Sequence, residues 1–233
     1  MDTYGGSAFN FTPDALTMVG EARLAYIRKV YSFFALGIAA AVGGSLLSMN
    51  TQLVYFALGH PFIGLIVFIG MAIFASASAT NPARAVPTLL GFTFVSGVII
   101  SPTLFAIAHG YVPGADVGVI YDALFLTSLI FGALTAYVFI TKKDFSYMGA
   151  SLMIGLFMVI GISLVNLFIQ STTMDLALSA IIVILFSGFI LYDTSRILKN
   201  AHEIPPTLAA LNLYLDFLNL FMAILRLLSR SRD

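Results

Sequence analysis

The sequence predicts an all-α integral membrane protein of seven transmembrane helices, and three observations lead there. Only 9% of the 233 residues are charged and 60% are hydrophobic, where an ordinary soluble domain has about a quarter of its residues charged. The apolar residues fall in blocks of about 20, the length that carries a helix across a hydrocarbon layer. These blocks are continuous and do not alternate, which excludes a barrel, and a span in lipid must satisfy its own backbone groups as a helix. With a mean hydropathy of +1.00, most of the surface faces lipid.

The segments follow in order from the apolar runs and their punctuation. The first covers 26–49 and stops at Asn50-Thr51-Gln52; the second covers 53–77, with His60-Pro61 near its start, and stops at Thr80-Asn81-Pro82. The third, 85–109, is interrupted by Ser101-Pro102 and followed by a loop at 110–118. The fourth, 119–140, precedes Thr141-Lys142-Lys143-Asp144, and the fifth, 147–169, ends in the short polar turn 170–173. The sixth covers 176–198, and after Pro205-Pro206 the seventh covers 207–228. Residues 1–25 form a short cytosolic segment, 26–228 the membrane domain and 229–233 a tail. Residues 1–22 carry Asp2, Asp14 and Glu21 and no basic run before an apolar core, so a cleavable signal peptide is not expected.

Positive charge sets the orientation. Arg23, Arg28 and Lys29 precede the first segment, Arg84 lies between the second and third, Lys142 and Lys143 between the fourth and fifth, and Arg196 and Lys199 near the sixth–seventh turn. The other connections hold only Asp116 and Asp175, so the N-terminus is expected in the cytosol. Seven full crossings then place Arg230 and Arg232 outside, against the rule, and a re-entrant last segment is the alternative.

A short internal echo, Ser96-Gly97 in FVSGVIISP and Ser187-Gly188 in LFSGFILYD, points to two three-helix groups of opposite orientation. The net charge of zero leaves no basic footprint for nucleic acid. The absence of cysteine excludes disulfides and thiolate metal sites.

Ionisable groups inside a span are costly and are functional candidates by default. Asp193 lies near the cytosolic end of the sixth segment and Asp216 in the middle of the seventh, and the short turn between these segments makes them antiparallel neighbours whose carboxylates could meet. Asn212, Asp216, Asn219 and Arg226 fall on one helical face that must point into the bundle. The plainer readings are an Asp193–Arg196 pair at three-residue spacing and interhelical hydrogen bonding by the asparagines. His60, His109, His202 and Glu203 show no metal-ligand spacing.

The stretches LYDTSRIL at 191–198, LNLYLDFLNLFMAILRLL at 211–228 and TKKDFSYMG at 141–149 resemble signatures of the Bax inhibitor-motif family, as do FVSG at 94–97 and Asn166. That resemblance implies a central seventh helix wrapped by the other six. It implies that Asp193 and Asp216 form a pH-sensitive contact gating a cation leak, chiefly of calcium; Asn212, Asn219, Asn166, Arg196 and Arg226 are the candidate supporting polar residues. It further implies no cofactor, calcium as a transported or weakly bound ion at Asp193 and Asp216, and a bacterial inner membrane, or the endoplasmic reticulum in a eukaryote. Some bacterial relatives modulate a membrane-anchored ATP-dependent protease, a possible partner here. Some relatives have an acid in the second helix and an arginine cluster after it; this chain has no such acid and only Arg84.

Two carboxyls within hydrogen-bond reach tend to share one proton and titrate as a unit. Losing it leaves like charges that repel and that attract a divalent cation. Calcium takes six to eight oxygens, so binding at two carboxylates is weak, as suits a leak. Catalysis is not expected: an intramembrane aspartyl protease needs Gly around its second Asp, where Leu215 and Phe217 flank Asp216, and the seventh segment has no Lys for a retinal Schiff base. The competing class is a non-conducting regulator that docks other membrane proteins.

Overall fold

The computed structural model describes the backbone of residues 13–199 and 203–230, with side chains from Gly20 onward. His202 and Arg232 lie outside the described residues, as do residues 1–12 of the expected N-terminal segment and the last three residues of the expected tail. The described residues form α1 (Pro13–Met49), α2 (Leu53–Gly59), α3 (Pro61–Ser78), α4 (Ala85–Ala108), α5 (Val117–Thr141), α6 (Gly149–Ile169), α7 (Thr172–Lys199) and α8 (Pro206–Arg230), with a 3-10 turn at Ser146–Met148 before α6. Seven helices are long and apolar enough to cross a membrane; α2, at seven residues, is not.

Three details depart from the sequence reading. The second segment is two helices, not one. Pro61 lacks an amide hydrogen and disfavours helical backbone at the residue before it, and His60 turns out of the helix at φ −132°, ψ 57°. The first helix starts at Pro13 and not near Tyr26, so Arg23, Arg28 and Lys29 lie on helix. Proline suits a first helical position and the Ala, Leu, Met, Glu and Arg that follow favour helix. Pro102, in contrast, does not interrupt α4. Ser101 Oγ donates to the Val98 carbonyl at 2.7 Å, the acceptor that the missing amide would have used. The same oxygen is hydrogen-bonded to Ser48 Oγ of α1, also at 2.7 Å.

The last helix is the centre. Of its core stretch 72% is buried, against 11% in each of α3 and α6. It packs on α1, α4, α5 and α7. Around it, α4 packs against both α1 and α3, and α7 packs against both α5 and α6, which makes two three-helix groups each joined through its third member. The rings of Phe34 (α1), Phe131 (α5) and Phe217 (α8) meet where the groups close on α8, with centroids 4.9 to 5.8 Å apart. The α1–α4 contact is backbone-close: a methyl on Gly97 would overlap the Ala41 carbonyl, and one on Gly44 would overlap the Phe94 carbonyl. Small residues at such crossings let helices in lipid gain dispersion contacts. The two Ser-Gly pairs do not play matching parts, because Gly188 meets Leu152 of α6 whereas Gly97 meets α1.

Candidate functional site

The antiparallel packing of α7 on α8 brings Asp193 and Asp216 together. Asp193 is six residues from the end of α7, about 9 Å along the axis, and Asp216 is ten residues into α8, about 15 Å. Both are buried, at 7% and 4% exposure, and their carboxyls are in hydrogen-bonding contact. Asn212, one turn before Asp216, sets its side-chain amide beside the Asp193 carboxyl. The guanidinium of Arg196 stands 3.8 Å from Asp193 Oδ1 and over the Tyr192 ring, 5.3 Å from its centroid. The plainer pairing of Asp193 with Arg196 is therefore present beside the carboxyl contact. Asp216 Oδ2 is fully buried with no donor directed at it among the described residues. A buried acceptor without a donor is costly, and a proton on either carboxyl would supply one.

A cluster of hydroxyls lies at the same level of α7. Thr194 is fully buried next to Asp193, and its hydroxyl lies near that of Tyr31 on α1, which also neighbours Thr135 on α5. The sequence reading missed these residues because a Thr or Tyr in an apolar run looks like packing; only the neighbours reveal a cluster.

The quoted sequence stretches converge on this end of the bundle. Lys199 and Asp144 form an ion pair at 2.6 Å, and the Phe145 amide donates to Ser195 Oγ at 3.3 Å. A methyl on Gly149 would overlap the Tyr192 ring. The 141–149 stretch is thus seated on 191–199. Lys199 holds the exposed Asp144 carboxyl well below the usual carboxylate range, with help from Ser146. At mid-helix, Ser96 of FVSG is hydrogen-bonded to the Tyr214 hydroxyl, two residues before Asp216.

The other candidates lie elsewhere. The Asn219 side-chain amide donates to the Leu215 carbonyl of its own helix at 2.7 Å. Asn166 accepts from the Ser171 amide at 3.1 Å in the α6–α7 turn. That turn is near the start of α7, about 30 Å along the axis from Asp193. Arg226 is exposed. Only Asn212 of the expected polar face joins Asp216 at the pair. Arg230, the charge that conflicted with seven crossings, pairs with Asp175 at 2.6 Å, so α8 runs the full length of α7 and does not turn back.

The family model described as inhibitor of apoptosis-promoting Bax1 matches residues 23–233. A Golgi anti-apoptotic protein of vaccinia virus is 35% identical over 232 residues, covering 96% of this chain and 92% of the viral one. Protein lifeguard 4 of the mouse is 30% identical over 232 residues, covering 94% and 91%. A membrane protein of Vibrio cholerae is 37% identical over 171 residues, covering 72% and 75%. With six spans around a buried seventh, and a family match over residues 23–233, the chain belongs to the Bax inhibitor-1 family of membrane proteins.

Proposed function

We propose that the protein is a pH-sensitive calcium (cation) leak pathway whose gate is a proton shared by Asp193 and Asp216. The observation that carries this reading is the contact of two buried carboxyls between the central helix and α7, with Asp216 Oδ2 lacking any other donor. With one proton the pair holds a single negative charge, which Arg196 balances, and α7 is tied to α8. Without it, two like charges face each other and only one cation stands beside them, so the contact loosens and a divalent ion is attracted. Proton and calcium then compete for one latch, each weakening the other's hold. Two carboxylates and the Asn212 amide supply few of the oxygens calcium prefers, which favours passage over storage. The charge distribution favours a cytosolic N-terminus, and the bacterial relatives favour an inner-membrane location.

Calcium flux into liposomes containing the purified protein tests this reading. Wild type should show flux that varies between about pH 6 and 8, and Asp193→Asn and Asp216→Asn should each flatten that variation. Folded protein with no flux above empty liposomes at any pH would sink the proposal. The second reading, a non-conducting regulator that docks other membrane proteins such as a membrane-anchored protease, would then stand. It draws on the name of the vaccinia relative, a Golgi anti-apoptotic protein.

A further inference from the structure

At the other end of α8 lies a cavity of about 380 Å³ that the carboxyl pair does not use. Leu58 of α2 and Pro102, Ala106 and Val112 on and after α4 wall it, and Arg226 and Arg230 of α8 stand at it. The break at His60-Pro61 leaves α2 only seven residues long beside this cavity.

Its two arginines are not equivalent. Arg230 is neutralised by Asp175 at 2.6 Å. Arg226 is exposed and has no ion pair or hydrogen bond among the described residues, so the site carries one uncompensated positive charge. Apart from Thr103 and Ser229 its walls are apolar, and the Ser229 hydroxyl is already given to the Leu225 carbonyl at 2.6 Å. A free anion would be poorly solvated there, since it needs several converging donors. A cation at the end of a transmembrane helix beside an apolar wall matches a lipid, whose phosphate sits at the interface while its chain runs into the hydrocarbon.

We propose that this cavity holds one anionic phospholipid, its phosphate on the Arg226 guanidinium and its upper acyl chain against Leu58, Pro102 and Ala106. The planar guanidinium suits a phosphate because it offers two parallel donors. The lipid supplies the charge that Arg226 lacks at an end of the bundle where positive residues are disfavoured.

Native mass spectrometry of the full chain in detergent with added phosphatidylglycerol tests the site. Wild type should retain one phosphatidylglycerol molecule, and Arg226→Gln should retain it about ten-fold less well or worse, as expected on losing a charge-assisted pair. Lys143→Gln, at the opposite end, should match wild type. Equal retention by Arg226→Gln, equal retention of phosphatidylcholine with the same chains, or displacement of the lipid by millimolar inorganic phosphate would each overturn the proposal, the last in favour of a free-anion site. None of these outcomes depends on calcium flux.

Discussion

The hydroxyl of Tyr214 on the central helix and that of Ser96 on α4 are bonded to each other inside the bundle, but only Ser96 has a second partner, the Thr93 carbonyl at 2.7 Å. Since Ser96 donates to that carbonyl, Tyr214 is the donor to Ser96. The two truncations are then unequal. Ser96→Ala strands a buried tyrosine donor and should cost about 1–3 kcal/mol, whereas Tyr214→Phe leaves Ser96 bonded to Thr93 and should cost about 1 kcal/mol or less. Thermal unfolding of the detergent-solubilised variants checks the order, and a larger loss for Tyr214→Phe would refute the assignment of donor.

The α1–α4 crossing should not accept a single methyl group. Gly97→Ala and Gly44→Ala each place a carbon against a backbone carbonyl, which cannot rotate away. Overpacking typically costs 1–3 kcal/mol, and contact with backbone lies at the upper end, about 3 kcal/mol. Gly132→Ala and Gly161→Ala, where nothing lies within 4 Å, are the matched controls. Size-exclusion profiles and melting temperatures should separate the two pairs of variants.

Acid sensitivity distinguishes the two carboxylate sites at this end of the bundle. Lys199 depresses the pKa of Asp144 in the folded protein, so the stabilisation it brings is present above the unfolded value, near pH 4, and is lost only as the pH falls through the lower folded value. Nothing changes there between about pH 6 and 8. Asp144→Asn should therefore leave the pH dependence of calcium flux in that range unaltered, while Asp216→Asn should abolish it. Flattening by Asp144→Asn would shift attention from the buried pair to the loop.

The pairing of Arg230 with Asp175 puts the end of α8 beside the start of α7. Because the chain has no cysteine, single introduced thiols report sidedness cleanly. A membrane-impermeant maleimide applied to intact cells should label Pro113→Cys and Ser231→Cys alike and leave Lys143→Cys unlabelled until the membrane is opened. Labelling of Lys143→Cys and Ser231→Cys together would restore the re-entrant topology.

The spans were legible because lipid imposes one demand, a continuous apolar run that satisfies its own backbone, on every segment alike. Local chemistry that changes the outcome was less so. Pro61 and Pro102 look the same in sequence, yet the helix breaks at one and passes the other, because Ser101 supplies the donor that Pro102 lacks. Charge counting could not settle the last segment, because it does not register that Asp175 stands opposite Arg230. Asp193, Asp216 and Asn212 were legible as a site because a carboxyl in an apolar run demands a partner. The helical face through Asn219 and Arg226 was not, because periodicity gives a direction while the neighbour in that direction changes along α8: α7 beside Asp216, the groove by Leu58 beside Arg226.

The most enclosed helix of the bundle is also the one that follows the other six spans in order of synthesis. While a ribosome is still making α8, the two earlier groups have no Tyr214, Phe217 or Leu220 to close upon, and their inward faces must wait against lipid or against each other. The bundle therefore cannot mature from its first helix outward; it is completed by an insertion at its axis. A premature stop within the first turns after residue 205 removes the core while sparing nearly all of the outer wall, so truncations there should be among the most damaging to assembly.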